Sequence, residues 1–369
     1  MSSKTYVISC GGTGGHLAPG IALAEALTNQ GHKCHLLISK KKVDARLVEK
    51  YTNLDFTPMP GAPFSLKPHK LIRFVVQQLM GMFFAFWFLN RTKPDMIIGF
   101  GGFSSSGMIL VGFFTGRPIV LHEANRPPGK TIRLLSGFAQ RVYLPEGVAL
   151  KGIPPQTIRH CGFPLRSEMQ RTAREKARQE LGLDIEGKLL LLIGGSQGAL
   201  SFNHWVNEHF DQLCKEHINV YCITGMMKNQ ASLLEKTSPS GRKIKAYFVP
   251  FSDQMPLVFS AADLAISRAG AGTIAELTRF RLPSILVPYP HSSDNHQQGN
   301  ARFLERQGGA VVLDQQHIDR LYQEVMDMIF NDWFLEQLRS NLARLDEQDS
   351  LSLILKDMQT IRLVPEYAD

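Results

Sequence analysis

The sequence lacks the signatures of several common classes of protein. Its five cysteines include no C-x-x-C pair, which excludes a metal framework and indicates reduced thiols in a cytoplasmic protein. No Asp-x-Asp triplet occurs, so the sequence implies neither a tightly held metal ion nor any other cofactor. Charged residues form only 20% of the chain and hydrophobic residues form 44%, a balance that is typical of a folded globular protein.

Two fingerprints of nucleotide-binding loops are also missing, although a glycine-rich loop is present. The glycines at positions 11, 12, 14 and 15 do not fit the G-x-G-x-x-G spacing of a dinucleotide site. No Gly-Lys-Ser/Thr ends the loop, which excludes a P-loop. An apolar β-type run at residues 4–10 precedes the glycines, and a helical pattern follows at residues 17–28. Strand, glycine loop and helix in that order favour a phosphate or a sugar at the helix N-terminus.

The length of the chain indicates how many domains to expect, and its net charge indicates which kinds of partner it favours. A chain of 369 residues is longer than one small core needs, which favours two domains. Lys and Arg number 41 while Asp and Glu number 33, so the formal net charge is +8. This excess of positive charge favours an anionic partner, namely a nucleotide sugar, a nucleic acid or an acidic membrane surface, without choosing among them.

The second half of the chain repeats the organisation of the first. Residues 189–193 have an apolar strand pattern, Gly194, Gly195 and Gly198 follow, and a helical pattern begins at Ala199. The repetition predicts two similar folds, each opening with a βα unit. Alternating strands and helices predict a parallel, doubly wound sheet in each half, with ligands at the carboxyl ends of the strands.

A glycine turn in the second half carries a ligand signal of its own. Gly270 and Gly272 follow a buried strand pattern, and their missing side chains let a ligand approach the backbone. A helix that starts near Gly272 would direct N–H groups and its positive dipole end toward a diphosphate. Glu276, one turn further, suits the hydroxyls of a ribose. The alternative interpretation is an ordinary βα loop in which Glu276 is a first-turn acidic residue.

Residues 71–89 form an unusually apolar and aromatic segment. Its length of about 19 residues is nearly enough to span a bilayer. Lys67, Lys70 and Arg73 lie at its start and Arg91 follows it, which favours a helix that lies on an anionic membrane surface. A buried core helix is the second interpretation and a membrane-spanning helix is the third. The aromatic side chains expected to enter the membrane are Phe83, Phe84, Phe86, Trp87 and Phe88, with Phe83, Phe84 and Trp87 as the central group.

Several motifs together resemble one family over nearly the whole chain. They resemble the MurG family, the UDP-N-acetylglucosamine (UDP-GlcNAc) transferases that complete lipid II in peptidoglycan synthesis. The motifs that carry the resemblance are Gly11-Gly12-Thr13-Gly14-Gly15-His16, Gly101-Gly102-Phe103, His122-Glu123-Ala124-Asn125, Gly194-Gly195-Ser196-Gln197-Gly198-Ala199, Arg268-Ala269-Gly270-Ala271, Glu276 and His296-Gln297-Gln298-Gly299-Asn300.

The resemblance implies the GT-B architecture, in which two Rossmann-like domains with doubly wound parallel sheets face each other across a cleft. We expect an acceptor- and membrane-binding domain at residues 1–163 and a UDP-sugar-binding domain at residues 164–345. Residues 346–369 are expected to form a helix that packs back on the first domain.

The resemblance also assigns residues to the donor UDP-GlcNAc. Glu276 is expected to bind the ribose, Arg268 to lie beside the diphosphate, Gln297 to touch the sugar and Ser252 to meet the uracil. The full set implied for the donor is Thr13, Gly14, Gly15, Asn125, Arg166, Ser196, Ser252, Arg268, Ala271, Gly272, Thr273, Ile274, Ala275, Glu276 and Gln297.

An inverting transfer to the muramyl 4-hydroxyl of lipid I needs a general base near that hydroxyl. His16 is our candidate, since the ordinary pKa of histidine, about 6.5, suits a base at neutral pH. The alternative is that His16 only orients the acceptor. Glu123 is a second candidate base, or a partner that holds an imidazole.

The resemblance further implies a peripheral enzyme on the cytoplasmic face of the inner membrane. Its partners would be UDP-GlcNAc, the lipid I acceptor and the anionic membrane surface, and not a nucleic acid. Two other interpretations remain open. One is another GT-B enzyme for UDP-sugars, such as a diacylglycerol glycosyltransferase or a UDP-GlcNAc 2-epimerase. The other is a membrane adaptor that binds a nucleotide sugar without catalysis.

Overall fold

Two sheets of buried aliphatic strands organise the chain, each within its own unit. The computed structural model describes residues 3–12, 14–39, 48–62, 67–103, 105–195, 198–225, 231–347 and 349–361. One unit comprises Met1–Ser167 together with Gln348–Asp369, and the other comprises Glu168–Glu347. The prediction of an α/β chain with two mainly parallel sheets is confirmed.

In the described part of the first unit, the strands form one parallel sheet in the order β3-β2-β1-β4-β5-β6-β7. All residues of β4 and β5 are buried, because layers of helices cover both faces of a parallel sheet. The strands are β1 (Thr5–Ser9), β2 (Lys33–Ile38), β3 (Asp55–Pro58), β4 (Met96–Gly99), β5 (Ile119–His122), β6 (Arg141–Leu144) and β7 (Ile158–His160).

Helices cover both faces of this sheet. One apolar cluster packs α1 (Gly14–Asn29) and the last described helix against Ile8 and Ile98, and the other packs α2 (Pro68–Thr92) and α3 (Ser105–Phe114) against Val7 and Ile97. The helices of the first unit are α1 (Gly14–Asn29), α2 (Pro68–Thr92), α3 (Ser105–Phe114), α4 (Lys130–Leu135) and, from the far end of the chain, α12 (Ser350–Gln359), with short 3-10 turns at Ser136–Phe138 and Pro155–Thr157.

The last helix, α12, is fixed to the first unit by both apolar and charged contacts. Ile354 and Met358 are buried in the same cluster as α1. Asp357 accepts a hydrogen bond from the Tyr143 hydroxyl at 2.9 Å and forms an ion pair with Arg159 at 3.0 Å. These contacts join α12 to β6 and β7.

In the described part of the second unit, the sheet order is β10-β11-β9-β8-β12-β13-β14. Every pairing is parallel except that of β10 with β11. The sequence did not predict β10, whose residues are exposed throughout and so show no apolar alternation. The strands are β8 (Lys188–Ile193), β9 (Ile218–Ile223), β10 (Ser232–Thr237), β11 (Lys243–Val249), β12 (Leu264–Ser267), β13 (Ser284–Leu286) and β14 (Val311–Val312).

In the second unit, one large apolar cluster packs helices α6 (Leu200–Lys215), α10 (Leu321–Ile329) and α11 (Asp332–Leu345) against β8, β9 and β12. The described helices of this unit lie between residues 174 and 345. They are α5 (Arg174–Glu180), α6 (Leu200–Lys215), α7 (Met255–Ala261), α8 (Ala271–Phe280), α9 (His296–Arg306), α10 (Leu321–Ile329) and α11 (Asp332–Leu345), with 3-10 turns at Ser293–Asn295 and Gln315–Arg320. The sequence also has a helical pattern at residues 43–50, of which residues 43–47 lie outside the described part of the chain.

Both sheets reverse their strand order at the centre. In the first unit, β1 lies between β2 and β4, and in the second unit β8 lies between β9 and β12. Connections leave the two central strands of such a sheet in opposite directions, which opens a crevice at their carboxyl ends. The predicted glycine turns follow β1, β4, β8 and β12, so they lie at these two switch points.

Candidate functional site

The first glycine turn brings the end of β1 close to its neighbouring strand. A Cβ atom at Gly11 would lie 2.2 Å from the backbone nitrogen of Ser39, so only glycine fits there. Gly12 has a φ of +116°, a conformation that residues with a side chain rarely adopt. Helix α1 begins directly afterwards at Gly14, and its first turn carries no acidic residue.

His16 lies in the first turn of α1 and packs on the glycine turn that follows β4. The helix begins at Gly14, three residues before the start predicted at residue 17. Gly101 and Gly102 have φ values of +89° and +80°. A Cβ atom at Gly102 would lie 3.3 Å from Nδ1 of His16 and 3.0 Å from the carbonyl oxygen of Gly11. The half-buried His16 imidazole and the two glycine turns therefore form one contact group.

Glu123 is used to hold the loop that follows β5. The residue is only 6% exposed. One oxygen accepts hydrogen bonds from the backbone and side-chain nitrogens of Asn125, both at 2.9 Å. The other oxygen accepts from the backbone of Gly129 at 2.7 Å, at the start of α4. The structure thus joins Glu123 and Asn125, and it gives Glu123 a positioning task within the loop.

His122 is a buried histidine. The sequence shows it only as part of a motif and predicts no role for it. Its Nε2 lies 3.2 Å from the carbonyl oxygen of Gly162, and its ring lies 5.3 Å from that of Phe100. Burial lowers the pKa of His122 to about 4, so the imidazole is neutral at physiological pH. Nothing in the sequence pattern distinguishes this histidine from an exposed one.

In the second unit, the turn after β12 leads into the N-terminus of α8. Gly270 is the N-cap residue, and as a glycine it has no side chain with which to cap the helix. The first-turn N–H groups of such a helix and its dipole favour an anion. The predicted donor residues Ala271, Gly272, Thr273, Ile274 and Ala275 form the first turns of α8, and Glu276 follows them; all six are partly exposed.

Arg268 supplies a cation beside this helix N-terminus. Its guanidinium lies 4.8 Å from the centre of the Phe202 ring and 5.7 Å from that of Tyr289. It donates to the carbonyl of Val287 at 2.9 Å and to the Ser201 hydroxyl at 3.2 Å. Burial lowers its pKa, but a guanidinium remains charged at neutral pH. The aromatic partners come from distant parts of the chain, which is why sequence reasoning missed them.

The first turns of α9 hold the turn after β12 from the other side. The side-chain oxygen of Gln297 accepts from the backbone nitrogens of Ala269 at 3.3 Å and Tyr289 at 2.9 Å. Asn300 donates to the carbonyl of Ala269 at 3.2 Å. Ala269 is thus fixed through both of its backbone polar groups. The sequence shows Asn300 only as part of a motif and does not predict its hydrogen bond to Ala269.

The turn after β8 is as tightly packed as the turn after β1. A Cβ atom at Gly194 would lie 2.1 Å from the backbone nitrogen of Ala199, and one at Gly198 would lie 2.1 Å from the carbonyl oxygen of Thr224. Thr13 and Ser196, both predicted to bind the donor, lie outside the described residues.

Two further predicted donor residues have contacts within their own units. Arg166 donates to the Tyr51 hydroxyl at 3.1 Å in the first unit. The Ser252 hydroxyl accepts from the backbone of Gln254 at 3.2 Å, at the start of α7 in the second unit. Within the described ranges, no three side chains of His, Cys, Asp or Glu are grouped to hold a metal ion.

Helix α2 exposes an apolar face to solvent. Within the described chain it is the one helix long and apolar enough to cross a membrane, and only 17% of its most apolar window is buried. Phe83 is 76% exposed, and Phe86 and Trp87 are 54% and 50% exposed. The prediction that Phe88 enters the membrane is wrong, because Phe88 is 7% exposed and packs in the core of the first unit.

Phe84 has an intermediate position between the exposed and buried faces of α2. It is half-buried and its ring stacks on that of Phe88, with centroids 5.5 Å apart. A shallow apolar groove of about 490 Å³ runs along this side of the helix. Its lining consists of Pro60, Leu79, Met80, Phe83, Phe84 and Trp87.

Two doubly wound units with glycine turns at their switch points define a glycosyltransferase of the GT-B fold. The chain is similar to the crystal structure of Acinetobacter baumannii MurG, with a TM-score of 0.72 and 22% identity over 98% of this chain and all of that one. It belongs to glycosyltransferase family 28: residues 6–144 match the N-terminal domain of that family and residues 189–354 match its C-terminal domain. The expected fold and the resemblance to the MurG family are thereby confirmed.

Curated relatives extend the similarity over almost the whole chain. The relative from Opitutus terrae is 48% identical over 96% of this chain and 94% of its own length. The relative from Carboxydothermus hydrogenoformans is 31% identical over 96% of this chain and 97% of its own length. Both are named UDP-N-acetylglucosamine--N-acetylmuramyl-(pentapeptide) pyrophosphoryl-undecaprenol N-acetylglucosamine transferase. The chain is therefore a UDP-sugar glycosyltransferase.

Proposed function

We propose that this chain transfers N-acetylglucosamine from UDP-GlcNAc to the muramyl 4-hydroxyl of lipid I, giving lipid II with inversion at the anomeric carbon. The observation that carries the proposal is the N-terminus of α8, with the glycine Gly270 as its N-cap residue, beside the half-buried cation of Arg268, which suits the diphosphate of a nucleotide sugar. The activity for which the full-length relatives are named selects the sugar and the acceptor.

The donor binds mainly to the second unit. Residues 271–275 offer backbone N–H groups to the diphosphate, Arg268 adds a positive charge, and Glu276 accepts hydrogen bonds from the ribose. Gln297 uses both lone pairs of its oxygen on backbone N–H groups, so it offers its NH₂ group to the sugar. Ser252 meets the uracil. The remaining donor candidates are Thr13, Gly14, Gly15, Asn125, Arg166 and Ser196.

His16 is the general base. It accepts the proton of the attacking hydroxyl as the new bond to the anomeric carbon forms, and the bond to the UDP oxygen breaks with its electron pair leaving on UDP. Helix N-termini and Arg268 stabilise the charge that develops on UDP. Glu123 is a positioning residue rather than a second base, since both of its oxygens accept hydrogen bonds within the 123–129 loop.

The acceptor carries a polyprenyl chain that stays in the bilayer, so the enzyme must come to the membrane. We assign the contact to the exposed face of α2, chiefly Phe83, Phe86 and Trp87, with Phe84 at its edge. Lys67, Lys70, Arg73 and Arg91 are exposed around this face and attract anionic headgroups, at about 1 kcal/mol each. The protein is then peripheral, on the cytoplasmic face of the inner membrane.

The test is a panel of UDP-sugars assayed with purified lipid I in anionic vesicles. We expect release of UDP and formation of the disaccharide lipid with UDP-GlcNAc, and little with UDP-glucose or UDP-galactose. Product formed from UDP-GlcNAc without acceptor would indicate a UDP-GlcNAc 2-epimerase. Transfer of the sugar to diacylglycerol would indicate a diacylglycerol glycosyltransferase. UDP-GlcNAc binding without turnover on any acceptor would indicate an adaptor.

A further inference from the structure

Gln78 is a polar side chain on α2 that points away from the exposed apolar face. It is half-buried, whereas the adjacent Leu79 is 61% exposed. Its Nε2 donates to the carbonyl oxygen of Phe103 at 3.1 Å. The Ser106 hydroxyl lies 2.9 Å from both the Gln78 Oε1 and the Phe103 carbonyl, so its proton serves one of the two at a time. The amide thereby joins α2 to the start of α3.

The carbonyl that Gln78 holds belongs to the glycine turn that packs on His16. Gly101 and Gly102 precede Phe103 directly, and a Cβ atom at either glycine would lie within 3.6 Å of an imidazole nitrogen. The Phe103 ring faces the first glycine turn, since a Cβ atom at Gly12 would lie 3.8 Å from Cε1 of that ring. A shift of the Phe103 backbone would therefore move the surface that orients His16.

The two helices that carry this link cannot slide easily. A Cβ atom at Gly107 on α3 would lie 3.3 Å from the backbone nitrogen of Met82 on α2. A Cβ atom at Gly81 would lie 3.0 Å from the carbonyl oxygen of Pro60. Close backbone packing therefore holds α2 against both α3 and Pro60, and the Gln78 amide ties the 101–103 turn, which precedes α3, to α2.

We propose that Gln78 is a positioning residue for the transfer reaction. It ties the 101–103 turn, and through it His16, to the same helix that docks on the membrane. The docking face and the acceptor side of the site then move as one body, so binding to the bilayer sets the height of His16 relative to the acceptor headgroup. The inference rests on the proposed function and adds to it a residue that touches neither substrate.

The test compares Gln78→Met with Gln77→Met, two substitutions of equal size on neighbouring positions of α2. Gln77 is a suitable control because its Nε2 contacts only the Met80 sulfur, at 3.8 Å, among the contacts described for its side chain. For Gln78→Met we expect kcat with lipid I in vesicles to fall about 10- to 100-fold, the range that a small misplacement of a reacting group produces. The KM for UDP-GlcNAc and vesicle binding should stay within about twofold.

Gln78→Glu supplies a second readout and a variant of nearly unchanged shape. An ionised carboxylate can accept from Ser106 but cannot donate to the Phe103 carbonyl, whereas a protonated one can do both. The ratio of the variant's kcat to that of the wild type should therefore rise as the pH falls from about 8 toward 5.5, nearer the ordinary pKa of glutamate. The same ratio for Gln78→Met should not change with pH.

Three outcomes would decide against the inference. A Gln78→Met variant with the kcat of the wild type would remove the positioning task. Equal losses in Gln77→Met and Gln78→Met, or a parallel loss of donor binding and thermal stability, would reduce Gln78 to a packing residue. If Gln78→Met does not fold, a pH-independent ratio for Gln78→Glu overturns the proposal. Absence of transfer by the wild type would instead overturn the proposed function.

Discussion

The two units share a strand order but hold their glycine turns by different means. In the second unit, side chains of α9 clamp both backbone groups of Ala269, and Arg268 lies against two aromatic rings. In the first unit, the turn after β4 is held by closely packed helices, one of which exposes an apolar face. Under the proposed function, this difference matches a soluble anionic ligand in the second unit and a membrane-bound one in the first.

The two units also differ in the charged and titratable side chains near their switch points. The second unit places a permanent cation and a helix N-terminus at its switch point, which suits binding of a diphosphate. The first unit places two histidines near its switch point, of which His122 is held neutral by burial. A neutral imidazole can accept a proton, which suits proton transfer rather than the binding of a fixed charge. We therefore expect changes in the first unit to alter kcat and changes in the second to alter donor affinity.

The largest expected effect is that of His16→Ala. Loss of a general base should lower kcat by roughly 10²–10⁴, while UDP affinity measured by calorimetry stays within about twofold. Steady-state kinetics with lipid I checks the prediction. A decrease of only a few fold would leave His16 an orienting residue, and a loss of UDP binding would break the division of tasks between the units.

The next effect concerns the stability of the first unit at acid pH. The pKa of His122 is about 4 in the folded protein and about 6.5 in an unfolded chain, so the unfolded state takes up a proton first as the pH falls. The full stabilisation is present above about pH 6.5, and about 3 kcal/mol is lost as the pH falls toward 4. Hydrogen exchange of β5 amides in the wild type and in His122→Gln measures this loss.

The wild type and His122→Gln are expected to differ in how the protection of β5 amides changes with pH, and not in stability at neutral pH. Between pH 6.5 and 4, β5 of the wild type should lose more protection than β5 of His122→Gln, because the variant has no imidazole to protonate. Strands of the second unit, such as β8, should respond alike in both proteins. Equal slopes for β5 in the two proteins would contradict the assignment of a buried neutral imidazole.

Glu276→Ala tests the second unit by itself. Removal of a carboxylate that accepts from the ribose hydroxyls should weaken UDP binding by about 1.5–3 kcal/mol. The KM for the acceptor should change little. Glu305→Ala is a matched control, since Glu305 is an acidic helical residue of the same unit that pairs with Arg302 instead. Unchanged UDP affinity in Glu276→Ala would remove that residue from the donor site.

The smallest expected effect is on membrane attachment. Replacing Phe83, Phe86 and Trp87 with Ser should weaken binding to anionic vesicles by at least about tenfold and leave UDP binding intact, because only the exposed face of α2 is changed. Trp333→Ser is the control, since Trp333 is 72% exposed but lies on the second unit. High salt should weaken attachment only in part, because salt screens charges and not apolar contacts.

Each alternative for α2 has its own result in this experiment. Unfolding of the triple variant would show that the exposed side chains stabilise the fold, as a core helix requires. Resistance of the native protein to extraction with alkaline carbonate would show a membrane-spanning helix. Phe84 and Phe88 are left unchanged, because their stacked rings belong partly or wholly to the core of the first unit.

The sequence predicts those parts of the fold that depend on local patterns. Buried aliphatic runs followed by glycines gave β1, β8 and β12 and their turns, because a parallel strand covered on both faces must be apolar throughout. The exposed edge strand β10 has no such pattern and was missed. On α2, the aromatic content alone did not separate the exposed Phe83 from the buried Phe88, since both belong to one dense apolar run.

Residues of the candidate site can be proposed from the sequence only where a short motif contains them. Glycines, Arg268, Glu276 and Gln297 stand in short recognisable stretches. The contacts that hold them come from distant residues: Phe202 and Tyr289 flank Arg268, and Gln78 reaches Phe103 across 25 positions. Pairings of this kind depend on how helices pack on the sheet, which one sequence does not show. The three hydrogen bonds that occupy Glu123 are likewise visible only in the folded loop.

The division of tasks between the units is tested most directly by hydrogen exchange with and without UDP. The account predicts slower exchange of the backbone amides of residues 271–275, at the N-terminus of α8, because those N–H groups bind the diphosphate. It predicts little change at Gly101 and Gly102 until lipid I is added in vesicles. Slowed exchange at Gly101 and Gly102 with UDP alone, and none at residues 271–275, would contradict it.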